Sequence, residues 1–186
     1  MKIRSYLLAT SLALAFMAPL TVFDYAKASP TTEDINRDSS RALEMLYRSN
    51  PAAASIGKSA KAVLIFPNIV KAGFVFGAGY GEGELKQGAK IDGYYNSFSA
   101  SWGLQIGAQS YGYAVFLMTD NAIKYIHRSQ GWEIGTGPTV VIVNEGVAKN
   151  LTTSTLKDDA YAFIFDQQGL MADLSIEGTK ISRMKE

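Results

Sequence analysis

Residues 61–83 read KAVLIFPNIVKAGFVFGAGYGEG, and this stretch decides the fold. Its apolar run from Val63 to Phe66 is closed by a Pro-Asn pair, which predicts a strand followed by a turn. A second strand is predicted to open at residues 74–76 and to continue through glycines at every second position from 77 to 83. Because successive residues of a strand point to opposite faces, all four glycines share one face. Such a face lets another backbone or an aromatic ring approach closely.

Two helices are predicted ahead of these strands. Thr31 and Asp34 have the spacing of a capping box, and apolar residues then recur at helical spacing as far as Ser49. Pro51 favours the first position of a second, shorter helix that ends near Gly57.

The rest of the chain is predicted to be mostly strands. Thr119 is placed to cap a short helix. Strand character is found in residues 94–102, 104–108, 111–118, 140–143 and 179–184, and residues 161–165 and 170–176 are predicted to form a hairpin. Short links favour antiparallel pairing. The predicted fold class is α+β, with a curved antiparallel or barrel-like sheet and the N-terminal helices packed against it.

The first 28 residues are predicted to be a signal peptide. Their apolar run from Leu7 to Ala18 is too short to span a bilayer. The small residues Ala26 and Ala28 form a cleavage pattern before Ser29. An uncleaved anchor is the alternative. We therefore expect a periplasmic or secreted protein, with peripheral contact to a membrane.

Composition argues against several classes of protein. The formal net charge is +1, and cleavage before Ser29 leaves one more acidic than basic residue. A general nucleic-acid binder shows a strong basic excess, so no nucleic-acid partner is predicted. The chain has no cysteine, which excludes disulfides, thiolate metal sites and a cysteine-linked lipid anchor. No cofactor is predicted.

Candidate catalytic residues are few. The glycine run does not match the pattern of a phosphate-binding loop or of a dinucleotide-binding fingerprint. His127 is the single histidine, and no Gly-x-Ser-x-Gly elbow accompanies it. Glu82 and Glu84 lie on the same side of the predicted strand and could form an acid–base pair, but a solvated strand end explains them equally well. We predict no catalytic or metal site, with a hydrolase using these two carboxylates as an alternative.

Basic residues near the first strands are more informative. Lys58, Lys61 and Lys71 fall in one short segment together with Phe66 and Phe74. These residues would form a membrane-facing edge, in which the lysines contact lipid phosphates and the apolar side chains enter the interface. An ordinary solvated surface over a core that contains the apolar residues is the alternative.

Four motifs occur in order along the chain: KAVLIFPN at 61–68, KAGFVFG at 71–77, GLQIGAQS at 103–110 and GLMADLSIEG at 169–178. With these motifs, the stretch from Gly57 to Met184 resembles the SYLF domain of actin-patch and membrane-remodelling proteins. The resemblance implies phospholipid binding without catalysis, with phosphoinositides as the ligands of eukaryotic members. Some fungal members also bind actin through this region, and bacterial members are commonly exported.

The chain departs from the SYLF pattern at two places. Residues 163–168 hold no basic residue where the family commonly has a Ser, Arg and Lys run, and Asp173 stands at a usual glycine. Both changes make the region more acidic. An anionic phospholipid other than a polyphosphoinositide is therefore the predicted ligand, and actin is not an expected partner of an exported bacterial protein.

The predicted organisation is a signal peptide at 1–28, an N-terminal helical segment at 29–56 and a SYLF-like domain at 57–186. The predicted function is phospholipid binding at a membrane surface by an exported, non-catalytic protein. The predicted lipid-binding residues are Lys58, Lys61, Lys71, Phe66 and Phe74. The alternative is an envelope protein-interaction or scaffold module, with a surface formed by Tyr94, Tyr95, Phe98 and Trp102.

Overall fold

A computed structural model of the protein describes residues 29–102, 107–128, 131–151, 155–169, 176 and 178–185. Within these ranges the helices are α1 (Thr32–Ser49), α2 (Pro51–Ser59), α3 (Asp120–Ile126) and α4 (Glu145–Ala148). The strands are β1 (Ala62–Gly73), β2 (Phe76–Gln87), β3 (Lys90–Trp102), β4 (Gly107–Leu117), β5 (Trp132–Glu133), β6 (Val140–Ile142), β7 (Ala160–Gly169) and β8 (Lys180–Arg183). The predicted signal peptide, Asp173 and most of the predicted strands 104–108 and 170–176 lie outside the described residues.

The strands form one sheet in the order β5-β8-β3-β2-β1-β4-β7-β6. Every neighbouring pair is antiparallel except β6 and β7, which are parallel. A parallel pair needs a long crossover, and here residues 143–159, which include α4, supply it. The prediction of an α+β fold with a curved sheet is confirmed, and the sheet is mixed rather than purely antiparallel.

The sheet curves into a half-barrel around one of two apolar cores. Trp132 of β5, at one edge of the sheet, and Ala162 of β7, near the other, belong to the same buried cluster. We call the face that encloses this cluster the concave face. The convex face carries Ile65 and Phe116, which pack beneath Leu46 of α1 and other helical residues. The N-terminal helices therefore lie on the convex face.

Caps at the start of the two N-terminal helices confirm the predicted boundaries. Thr31 Oγ1 accepts a hydrogen bond from Asp34 N at 3.2 Å, and the Asp34 carboxylate accepts one from Thr31 N. The Thr31 hydroxyl also donates a 2.8 Å hydrogen bond to the Asp34 carboxylate, and this bond, followed by the one from Thr31 N, lowers the pKa of Asp34. Asn50 Oδ1 accepts a hydrogen bond from Ala53 N at 3.1 Å at the start of α2. The second helix ends at Ser59, slightly beyond the predicted end near Gly57.

The predicted turn after Phe66 is wrong, because Pro67 and Asn68 form a bulge inside a longer strand. The register of β1 shifts at this point against both β2 and β4, and the strand continues to Gly73. A bulge tolerates proline because it needs no ladder hydrogen bond there. Similarly, β7 runs through the predicted turn at 166–169, with Asp166 in the left-handed region at φ 50°.

The predicted glycine face is confirmed. Glycines 77, 79, 81 and 83 are buried and alternate with other residues of β2. A Cβ added at Gly83 would lie 2.0 Å from the carbonyl oxygen of Ile65 and 2.8 Å from the ring of Phe66. The missing side chains thus let the bulged strand and an aromatic ring approach β2 closely. Among the described residues, no helix is both long and apolar enough to cross a bilayer.

Candidate functional site: an apolar strand end beside a glycine-rich trough

Large apolar side chains are exposed together at one end of β1, β2 and β3. Phe74 is 64% exposed and Phe76 is 61% exposed. We call this surface the apolar end, and it consists of Val70, Phe74, Val75, Phe76, Tyr80 and Phe98. Met45 on α1 is exposed to a similar degree, on the helical layer.

Strand register makes the apolar end continuous. Val70, Tyr80 and Phe98 are directly paired across β1, β2 and β3 and form one row on the convex face. Phe74 and Val75 form the turn between β1 and β2, beyond that row. Paired residues of neighbouring strands lie close enough for their side chains to touch. The result is a contiguous surface rather than scattered apolar residues.

The position of α1 explains why the apolar end is exposed. The first turns of α1 line a cleft of about 460 Å³ with Tyr80 and Glu82. Further along α1, Ser40 Oγ accepts a hydrogen bond from Lys86 Nζ at 2.9 Å. The helix therefore starts beside the apolar end and runs away from it along β2. Tyr80 Oη donates a 2.7 Å hydrogen bond to Glu82, and burial together with this bond raises the pKa of Tyr80 to about 12.

The concave face at the same end has a different character. One row of paired residues crosses five strands there, and we call it the glycine trough: Ser99, Gly79, Lys71, Gln109 and Gly169. Lys71 is 7% exposed and Gln109 is 3% exposed. Neither amide atom of Gln109 has a hydrogen-bond partner, and the described residues provide no ion pair for Lys71.

The structure does not bring the five predicted lipid-binding residues together. Lys58 is exposed on α2, and Lys61, just before β1, forms a 2.8 Å ion pair with Asp120 that lowers the pKa of this carboxyl. Ten residues of extended chain, about 30 Å, separate Lys61 from Lys71. Lys58 and Lys61 therefore lie at one end of β1, and Lys71 and Phe74 lie at the other.

Phe66 is wholly buried, so it is a core residue in this fold. Its ring centroid lies 4.8 Å from that of Tyr113 on the concave side. The prediction treated Phe66 as the end of a strand beside a turn. The bulge instead keeps the chain within the sheet and leaves Phe66 in its interior.

The two candidate acid–base carboxylates share a face of β2, as predicted, but not a cleft. Glu84 is fully buried on the face that α1 covers, and burial raises its pKa although Lys86 Nζ lies 3.2 Å from Oε1. The cleft beside α1 contains Glu82 but not Glu84. The alternative of a solvated strand end is wrong for Glu84. His127 lies elsewhere, with Nε2 2.7 Å from the carboxylate of Asp92.

The predicted aromatic interaction surface is divided between two faces. Tyr95 is buried in the concave core, Tyr94 is partly buried, and Phe98 is exposed at the apolar end. The side chain of Trp102 lies outside the described residues. Adjacent strand residues point in opposite directions, so Tyr94 and Tyr95 cannot share one surface.

Sequence reasoning missed Phe76, Tyr80 and Gln109 as site residues, although a signal for each was present. Phe76 and Tyr80 alternate with the glycines, so a buried glycine face places both on the opposite face. Gln109 interrupts the alternation that continues as Tyr111, Tyr113 and Val115 on the concave side.

The described residues form a half-barrel sheet with an apolar end and a glycine trough, and one comparison with known families gives a match. Residues 98–186 match the family model Ysc84, described as Las17-binding protein actin regulator. This match bears out the SYLF resemblance for the segment from residue 98 to residue 186. No curated protein sequence matched the chain significantly. The matched segment includes Phe98 of the apolar end and Gln109 of the trough.

Proposed function

We propose that this chain is an exported, non-catalytic phospholipid-binding protein that docks on a membrane surface through the apolar end. The observation that carries the proposal is the contiguous exposure of Phe74, Val75, Phe76 and their neighbours at one end of the sheet. The match of residues 98–186 to a family with general lipid and actin-related associations supports a binding role.

The side chains of the apolar end suit the boundary between head groups and acyl chains. Full burial of an exposed phenylalanine side chain is favourable by about 1.5–3 kcal/mol. Each ring that is partly buried in the membrane contributes part of this free energy to docking. Tyrosine, with an apolar ring and a polar tip, is favoured at the same depth. Partial insertion of several such residues holds a protein at the interface without spanning it.

Electrostatic attraction has a smaller role in this proposal. The net charge is near zero, and the exposed Lys180 is paired in register with Phe98. Each lysine near an anionic surface contributes about 1 kcal/mol. Lys58 and Lys61 lie at the far end of β1 and would not reach the same surface. Docking is therefore expected to depend more on apolar insertion than on salt.

The proposed export of the chain favours phospholipid over actin as its partner. A signal peptide at residues 1–28 would place the mature chain in the periplasm or outside the cell, away from cytoskeletal partners. The family description names Las17 binding and actin regulation, and this chain is proposed to bind phospholipid instead.

Vesicle co-sedimentation tests docking directly. The purified protein is mixed with vesicles of phosphatidylcholine alone or with phosphatidylglycerol. The variant Phe74→Ser/Phe76→Ser should weaken vesicle binding by about tenfold or more, since two exposed rings are lost. Met45→Ser removes an exposed apolar residue elsewhere and should bind like the parent, as should Lys58→Glu/Lys61→Glu.

Two results would contradict docking through this surface. The first is undiminished binding by the double phenylalanine variant. The second is a folded parent protein that binds neither vesicle, which would favour the protein-interaction or scaffold alternative.

A further inference from the structure

The glycine trough places a lysine and a glutamine side by side without other bulky side chains in their row. Lys71 and Gln109 are directly opposite in the β1–β4 ladder, so both side chains project from the concave face. Their neighbours in the row are Gly79 and Gly169. A Cβ added at Gly79 would lie 2.5 Å from Ser99 Oγ, which locates this hydroxyl next to the lysine.

Within the described residues, both side chains are buried without the partners that burial requires. Lysine is almost never buried unless it is paired with an opposite charge. The part of the chain that the structure describes offers Lys71 no carboxylate. Gln109 has both side-chain polar atoms unpaired, and each buried polar atom without a hydrogen bond is destabilising. Two adjacent residues with the same deficit indicate a missing ligand rather than two independent defects.

The chemistry of the pair defines that ligand. The ammonium group supplies one positive charge and three donors, and the amide supplies two donors and one acceptor oxygen. Lys71 has a single charge, which matches a monoanion. An oxyanion would accept hydrogen bonds from Lys71 Nζ and Gln109 Nε2. A hydroxyl group attached to the same ligand could donate to Gln109 Oε1.

We propose that Lys71 and Gln109 form a binding site for a monoanionic phosphodiester, the linkage found in phospholipid head groups. This inference rests on the proposed function, because the trough and the apolar end occupy opposite faces of the same strand ends. Val70 faces the apolar end, and the next residue, Lys71, faces the trough. A head group bound in the trough and a membrane docked on the apolar end would therefore lie at the same end of these strands.

Titration calorimetry of the purified protein with soluble probes tests this site without a bilayer. The probes are dihexanoylphosphatidylglycerol below its micelle concentration, inorganic phosphate, and octyl glucoside as an uncharged amphiphile. Lys71→Met and Gln109→Leu should each weaken binding of the short-chain phospholipid by about tenfold, as expected for a lost charge-assisted hydrogen bond. Lys58→Met is the matched control and should leave binding unchanged.

Comparison of the probes identifies the source of the oxyanion. Tight binding of the phospholipid with little binding of inorganic phosphate assigns the site to a lipid head group. Equal binding of both, with the same dependence on Lys71, assigns it to a free oxyanion. Equal binding of octyl glucoside, or normal phospholipid binding by both variants, would overturn the proposal. Lys71→Arg keeps the charge, so it should retain binding even if Lys71→Met folds poorly.

The outcome is separable from that of membrane docking. The variant Phe74→Ser/Phe76→Ser should lose vesicle binding but keep its affinity for the monomeric phospholipid. If docking fails while the trough still binds, only the proposed docking surface is wrong. If docking succeeds and the trough variants bind every probe normally, only the trough is wrong.

Discussion

The two halves of the β1–β2 pair have the same backbone structure but different surroundings. In the half that contains Ile65, the helices cover the convex face and the concave face belongs to the apolar core. In the half that contains Val70 and Tyr80, the convex side chains are exposed and the concave row is polar or glycine. The convex side chains of β1 are apolar in both halves, with Val63 and Ile65 in one and Val70 in the other. Exposure of one half is therefore a property of where α1 starts, not of strand composition.

This difference separates residues that stabilise the fold from residues available for binding. Phe66 and Phe74 are eight positions apart, in two neighbouring sequence motifs, yet one is fully buried and the other is mostly exposed. The buried half can supply the rigidity that keeps the exposed half in place. A change in either half should affect one property and leave the other nearly intact.

The largest expected effect is on folding. Phe66→Ala should lower the free energy of unfolding by about 3–5 kcal/mol, because it leaves a cavity beside Tyr113. Phe74→Ala, the same change at the exposed end, should alter it by less than about 0.5 kcal/mol. Urea denaturation of both variants measures the difference. Equal losses would show that the two halves are not distinct.

A smaller effect is expected from the buried carboxyl under α1. The raised pKa of Glu84 means that the folded state binds this proton more tightly than the unfolded state. The contribution of protonated Glu84 to the free energy of unfolding is complete at pH values below its ordinary pKa of 4.5. This contribution is lost as the pH rises through the folded-state pKa. Glu84→Gln stays neutral, so its melting temperature should exceed that of the parent at pH 7.5, and the difference should shrink toward pH 4.

The matched control for this experiment is Glu82→Gln, on the same face of β2 but only half-buried. It should show no comparable gain at pH 7.5. A Glu84→Gln variant that melts below the parent at that pH would mean that the ion pair with Lys86 outweighs burial.

Local patterns in the sequence were sufficient for some elements and insufficient for others. The Thr31 capping box, the Asn50-Pro51 junction, the Thr119 cap and the glycine face of β2 depend on neighbouring residues, and all four were predictable. The bulge at Pro67 depends on pairing with both β2 and β4. The local sequence pattern predicts a turn at such a proline. The predicted first strand was therefore shorter than the observed β1.

The candidate site was predictable only in part for the same reason. Phe74 and Lys71 were identified from residue type, but their separation from Lys58 and Lys61 follows from the full length of β1. The pairing of Lys71 with Gln109 joins residues from two distant motifs. No pattern within either motif specifies that pairing, because register is set by the whole sheet.

The most direct test of docking through the apolar end uses site-specific fluorescence. Because the chain has no cysteine, Val75→Cys and Met45→Cys each provide a single labelling site for a polarity-sensitive dye. On addition of phosphatidylglycerol-containing vesicles, the dye at position 75 should shift to the blue and gain intensity, while the dye at position 45 should not change. A shift at position 45 with none at position 75 would contradict the account.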